Sequence, residues 1–317
     1  MIILDAQATQ EALAWPELVE ALQKGFEAGC EMPVRHHHDF QIPGELDGTL
    51  LLMPAWIPGK YLGIKTAVVV PENGARGLPA VSANYQLIQA TDGQTIALID
   101  GAVLTNRRTA AASALASKYL SRSDASHLLV VGTGGLSKSL VQAHCAVRPI
   151  KKISIWGRRL DKAQEMSKSL FEFGLNATAV SDLEEAAKSA DVISCATVSK
   201  TALVKGEWLR PGTHLDLVGA FKPDMRESDD EVMRRANIFV DTRAGAMKEA
   251  GDIVQPIADG IISENDILAD LFDLTRQKHA GRKNDSEITV FKSVGTALED
   301  LFAAALAYEK SHSNLTL

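Results

Sequence analysis

The stretch LLVVGTGGLSKSLVQAH, Leu128 to His144, decides how the rest of the chain is read. An apolar run leads straight into Gly132, Gly134 and Gly135, and a helix-forming segment follows without a spacer. A short run that is apolar throughout suits a strand buried on both faces. Glycine tolerates positive φ and puts no Cβ in the path of a pyrophosphate. The helix behind it offers unpaired N–H groups and a partial positive charge. Such a turn at the first strand of an alternating series points to dinucleotide binding, with Gly132, Thr133, Gly134, Gly135 and Leu136 as the expected cradle. The match to GxGxxG is incomplete, because the third position holds Ser137.

The alternation continues downstream. HLLVVG, KISIWG, ATAV, DVISCAT, HLDLVG and NIFVD read as short strands, with helices such as LSKSLVQAHCAV and LDKAQEMSKSLFEF between the early ones. That rhythm indicates a parallel sheet covered on both faces. Cofactor contacts are expected at the C-terminal ends of such strands, here Thr197, Val218 and Gly219. The second strand, ISIWGRR, ends in Gly157, Arg158 and Arg159, with no carboxylate before Asp161. An acidic residue there would favour NAD by accepting from the ribose 2′-hydroxyl; paired guanidiniums match a 2′-phosphate instead. The expected cofactor is NADPH, with NADH also compatible, and the competing reading of the arginines is two solvated surface charges.

Upstream, TLLLMPAW, LGIKTAVVV, ANYQLIQ and TIALID are separated by turn signals, which suggests an antiparallel or mixed sheet with a hairpin at TDG. Residues 10–28 read as a helix, 105–120 as an alanine-rich helix, SRSDAS as a linker, and 294–310 as a final helix that packs on the first domain or on a partner chain. The expected class is α/β, a Rossmann-type parallel-sheet domain, residues 121–294, inserted into a second α+β domain built from 1–120 and 295–317.

Among the 317 residues, 46% are hydrophobic and the formal net charge is −7, which argues against nucleic-acid binding. Three separated cysteines without a CxxC pair fit a reducing compartment. Neither a secretory signal nor a membrane-spanning apolar run is visible, so a cytoplasmic protein is the expectation. RHHHDF invites a metal assignment, but adjacent side chains diverge in any regular structure and no metal site is expected. Arg35 with one histidine beside a substrate is the better reading.

LIDGAVLTNRRTAAASALASKYL, VVGTGGLSKSL, HLDLVGAFKPDMRESDDEVM, VDTRAGAMKEAGDI and ITVFKSVGTALEDLFAAALAY together resemble the ornithine cyclodeaminase/mu-crystallin family, in its order along nearly the whole chain. The resemblance implies a homodimer whose substrate and dimerisation domain comes from both chain ends. It implies that Arg108 of LTxxRTAA holds a substrate carboxylate, with Arg107 the lesser candidate. Lys65 after YLGI and Arg35 would join it, Ser82 of PAVSANY aligns loosely with the same pocket, and Lys292 and Ser293 of FKSVG fall at the nicotinamide end. Cyclodeaminases of the family carry an aspartate where this chain has Phe221. A phenyl ring can neither take a proton nor pair with an ammonium, so the expected reaction is hydride transfer to the imine carbon of a cyclic imino acid. That would give L-proline from 1-pyrroline-2-carboxylate and L-pipecolate from 1-piperideine-2-carboxylate. Lys65 and Arg108 are the expected catalytic pair. Ornithine or lysine cyclodeamination, alanine dehydrogenation and non-catalytic NADPH binding, as in mu-crystallin, stand as alternatives. Asp216 is read as a polar contact to a neighbouring loop or as a catalytic group, and RESDDEVMRRA as a capped, solvated helix.

Overall fold

A computed structural model of the chain describes residues 1–315. It divides the chain into two compact units, 1–109 with the C-terminal segment from Ala297, and 110–296. The division falls after Thr109, inside a long helix, rather than at the Ser121–Ser126 linker, and again after Thr296. Residues 316 and 317, assigned by sequence to the first domain, lie outside the described residues.

The first unit holds a six-stranded sheet in the order β1-β6-β5-β4-β3-β2. Its strands are β1 (Ile2–Leu4), β2 (His36–Phe40), β3 (Gly48–Ile57), β4 (Tyr61–Val69), β5 (Val81–Gln89) and β6 (Thr95–Asp100). All neighbours are antiparallel except β1 with β6, so the sheet is mixed, and β5 and β6 form the hairpin at TDG. The histidine run is the edge strand β2, exposed along its length. Along β4 the pleat turns Tyr61, Gly63, Lys65 and Ala67 inward, and β5 contributes Tyr85 and Leu87. That face packs on the C-terminal helix, α11 (Ala297–Leu315), which also contacts α2 (Trp15–Ala28). Gly25 makes the second contact possible, since a Cβ there would meet the Phe302 ring at 2.8 Å. The single helix expected over 10–28 is two, α1 (Ala6–Ala12) and α2. Pro16 has no N–H for the preceding turn, so a helix starts there and does not run through.

The helix α3 (Gly101–Leu120) crosses the division into the second unit. There β7 (His127–Val131), α4 (Gly135–Val147), β8 (Lys152–Trp156), α5 (Leu160–Leu170), β9 (Ala177–Val180), α6 (Leu183–Ser189), β10 (Val192–Cys195) and β11 (His214–Leu217) alternate. They are followed by α7 (Asp230–Arg235), β12 (Asn237–Val240), α8 (Arg243–Glu249), α9 (Gly251–Ala258), β13 (Ile267–Asp270), α10 (Leu271–Thr275) and β14 (Thr289–Lys292). The sheet is parallel throughout, in the order β13-β12-β14-β11-β10-β7-β8-β9. The order reverses between β7 and β10, which opens a crevice at their C-terminal ends. The sequence reading omits β13 and β14. Among the described residues no helix is long and apolar enough to cross a membrane.

Candidate active site

In the second unit the turn after β7 opens onto a cavity of about 610 Å³. Gly132 has φ of 128°, and a Cβ on it would meet the Ala196 carbonyl oxygen at 2.6 Å. Gly134 caps α4 with nothing within 4 Å of where its Cβ would stand, so the helix N-terminus faces open space. A pyrophosphate fits that combination of a side-chain-free turn and unpaired N–H groups. Of the residues expected to bind the cofactor, Gly132, Thr133, Gly134, Arg158, Arg159 and Thr197 line the cavity. Gly135 and Leu136 begin α4 behind it. Lys162, Ser199 and Trp156, not expected from sequence, also line the cavity. Arg159 pairs with Asp161 at 2.7 Å, whereas no ion pair to Arg158 is seen among the described residues.

Four further expected cofactor contacts are not among the residues lining this cavity. Val218 and Gly219 are buried and do not line the cavity, and Lys292 and Ser293 are fully buried at the end of β14. Lys292 Nζ stands 3.3 Å from Asp252 Oδ2, an ion pair without a directed hydrogen bond. Asp216 is neither a loop contact nor a cleft residue. Its carboxylate lies inside the unit, accepting from Ser113 Oγ at 2.9 Å and Ser194 Oγ at 2.6 Å, with His144 Nε2 at 3.2 Å. RESDDEVMRRA is only partly a solvated helix: Asp229 caps α7, but Glu227 and Ser228 before it are fully buried.

In the first unit Lys65 and Arg108, two of the residues expected to handle substrate, converge on two carboxylates missed in the sequence, and the Arg35 charge acts on Lys65. Asp300 Oδ2 is 2.7 Å from Lys65 Nζ and Asp300 Oδ1 is 2.8 Å from Arg108 Nε; Glu299 Oε2 is 2.6 Å from Arg108 Nη1. Both acids lie in the first turn of α11, where the helix dipole favours negative charge. Both are fully buried, and Lys65 and Arg108 nearly so, at 4% and 5% exposure. Two ammonium or guanidinium charges and two carboxylates form a neutral tetrad. The signal was an acidic pair inside the otherwise apolar ALEDLFAAALA, since buried carboxylates require cationic partners.

Electrostatics assign the charges. Burial pulls the Lys65 ammonium down to about 8, against the opposing pull of Asp300, and the Arg108 and Arg35 charges add to the lowering. Burial also works against the Arg108 guanidinium, but Asp300 and Glu299 together outweigh it and raise its pKa. Burial opposes the Asp300 carboxylate, yet Arg108 and Lys65 hold it below its usual range. Tyr85, which pairs with Lys65 across β4 and β5, buries a hydroxyl with no hydrogen-bond partner among the described residues, and burial pushes its pKa well above the usual value.

The arginine pair in LTNRRTAA separates cleanly. Arg107 donates Nε to the Leu13 carbonyl at 2.8 Å and stacks over Trp15 at 4.0 Å, tying α3 to the α1–α2 link. Arg108 alone reaches the tetrad. Ser82 does not: it is exposed, and three residues before the inward-facing Tyr85 it points to the other face of the sheet. Phe221, in the second unit, is 45% exposed, on the loop after β11.

The whole chain has close relatives of this architecture. It is 42% identical over 294 residues to a Delta(1)-pyrroline-2-carboxylate reductase of Paracoccus denitrificans, covering 92% of each chain. Its structure matches that of Thermococcus litoralis Delta(1)-pyrroline-2-carboxylate reductase in complex with NADH and L-proline, with TM-score 0.92, 32% identity and coverage of 99% and 98%. It also matches an archaeal alanine dehydrogenase dimer with bound NAD, with TM-score 0.89, 29% identity and coverage of 99% and 96%. The sequence profile of one family spans residues 2–314, from the first strand into the helix that carries Glu299 and Asp300, and the chain belongs to that family, the ornithine cyclodeaminase/mu-crystallin family.

Proposed function

We propose that the chain is a nicotinamide-dependent reductase of cyclic imino acids, converting 1-pyrroline-2-carboxylate to L-proline and 1-piperideine-2-carboxylate to L-pipecolate. The observation that carries this reading is the neutral tetrad of Lys65, Arg108, Glu299 and Asp300. An iminium carboxylate carries one charge of each sign, and such a cluster offers a partner for both. The reductases from Paracoccus and Thermococcus support the same substrate class.

Arg108 is held through Nε and Nη1, which leaves its Nη2 edge for a substrate carboxylate. Lys65, with its pKa near 8, is mostly ammonium at neutral pH and can give a proton or a hydrogen bond to the imine nitrogen. A protonated C=N is the better electrophile, and Asp300 steadies both cations. The dinucleotide would be held by Gly132, Thr133, Gly134 and Thr197, and when bound it supplies the hydride. Arg158 and Arg159 favour NADPH over NADH in the same cleft. Phe221, at the position of the cyclodeaminase aspartate, supplies no acid or base and suits a substrate that is already a ring.

Two further parts of the reading are a homodimer and residence in the cytoplasm. Phe40 ends β2 and Val81 begins β5, at the same end of the sheet by register, and Leu46 and Leu78 lie on the adjoining loops. All four are exposed, and a second copy would cover them. Light scattering is expected to give twice the chain mass.

The test is NADPH oxidation over a substrate panel. Rapid turnover with the two cyclic imines is expected, with little on ornithine or on pyruvate plus ammonia. Faster turnover of pyruvate with ammonia would favour the dehydrogenase reading that the archaeal neighbour suggests. Ammonia release from ornithine would favour cyclodeamination, and cofactor binding without turnover would favour a binding protein.

A further inference from the structure

Glu227 sits between the two loops that follow β10 and β11, and it is fully buried. Its Oε1 accepts from the Thr197 N–H at 2.6 Å and the Thr197 hydroxyl at 2.8 Å. Its Oε2 accepts from the N–H groups of Gly219 at 2.7 Å and Ala220 at 3.2 Å. Thr197 lines the 610 Å³ cleft, so one carboxylate joins a wall of that cleft to the neighbouring loop through four donors. The joint is tight: a Cβ on Gly219 would collide with the Thr197 backbone.

The carboxylate is itself held. Asp252 Oδ1 accepts from the N–H groups of Glu227 at 2.9 Å and Ser228 at 3.0 Å, and Asp252 Oδ2 faces Lys292. Four donors converging on one side chain call for a group that only accepts. An ionised carboxylate meets that demand. A protonated one loses a lone pair and must fit its own hydrogen among four others.

We propose that Glu227 is the positioning residue of the cofactor cleft: as an anion it fixes the loop after β10 against the loop after β11, and protonation loosens the cleft and weakens dinucleotide binding. This rests on the cofactor reading above. The groups facing Glu227 are Lys292 from β14, Asp252 from α9 and the Cys195 thiol from β10, which burial keeps un-ionised; Asp216 of β11 lies by that thiol and Asp241, after β12, by Lys292. Burial is the main influence on Glu227 and Asp252 adds to it, against Lys292 and the Thr197 donors, so its pKa is pushed up to about 7. The anion therefore prevails above pH 7 and the acid below.

The test is NADH fluorescence titration of the full chain from pH 6 to 8.5, without imine. NADH is the probe because the NADPH 2′-phosphate itself titrates near pH 6. The dissociation constant is expected to rise about tenfold from pH 8 to pH 6, as for a site bound only by the anion with a pKa near 7. Glu227→Gln keeps the shape but replaces acceptors by an NH₂; it is expected to bind about tenfold more weakly at pH 8, with no pH dependence. Asp252→Asn removes a negative neighbour and is expected to move the midpoint to lower pH, which a purely structural staple would not do. A flat wild-type profile, an unmoved Asp252→Asn midpoint, or a Glu227→Gln variant that binds as tightly as wild type at pH 8 would each overturn the proposal. Should Glu227→Gln not fold, the wild-type profile and the Asp252→Asn midpoint still decide it. Absence of NADH binding at every pH would instead defeat the cofactor reading, and this proposal with it.

Discussion

Each unit buries a cluster of opposite charges, and the two clusters are balanced differently. In the first, the α11 acids Glu299 and Asp300 meet two cations, Lys65 and Arg108. In the second, Glu227 and Asp252 share the single ammonium of Lys292. Matched charges keep Asp300 ionised and Arg108 cationic, so the group of the first cluster that responds to pH is Lys65, which burial pulls down to about 8. In the second, burial, opposed by Lys292 and helped by Asp252, pushes the Glu227 carboxyl up to about 7, so there it is an acid that responds to pH. On the proposed roles, the first cluster holds a ligand and the second adjusts a loop.

Four measurements probe the difference between the two clusters and the cleft beside the second. Lys65→Met should lower kcat/KM for the cyclic imine by about 10²–10⁴-fold while leaving NADH affinity unchanged, as expected for a lost proton donor. Equal losses in both would merge the two clusters into one. Asp300→Ala leaves two buried cations short of a partner and should cost about 3–5 kcal/mol in denaturant unfolding, whereas a cost near zero would show that the tetrad is solvated. Lys65 is ammonium below about 8 and amine above, so kcat/KM should fall about tenfold per pH unit above that point. The fall would be absent from the residual activity of Lys65→Arg, which stays charged. Arg158→Ala should reduce the preference for NADPH over NADH by about tenfold, the worth of one charge-assisted hydrogen bond to the 2′-phosphate. An unchanged ratio would return Arg158 to the solvated surface.

The glycine turn and the early strands were legible because short apolar runs between helices leave few alternatives to a parallel sheet. Arg108 was legible only through resemblance, and the tetrad was not, because its partners lie 191 and 192 residues away along the chain. Glu227 was hidden by its surroundings: in RESDDEVMRRA it reads as one solvated charge among many, and only the fold shows it buried under two loops. Ser82 failed for a simpler reason. Alignment gives position along a strand, but parity decides the face, and Ser82 has the opposite parity to Tyr85, the cross-strand partner of Lys65.

In the proposed reaction, hydride passes to the imine carbon of a closed ring. NADPH dideuterated at nicotinamide C4, incubated with the enzyme and 1-pyrroline-2-carboxylate, tests it most directly. L-proline carrying one deuterium at C2 is expected, formed in step with cofactor oxidation. Proline without deuterium, or cofactor oxidation without proline, would contradict it.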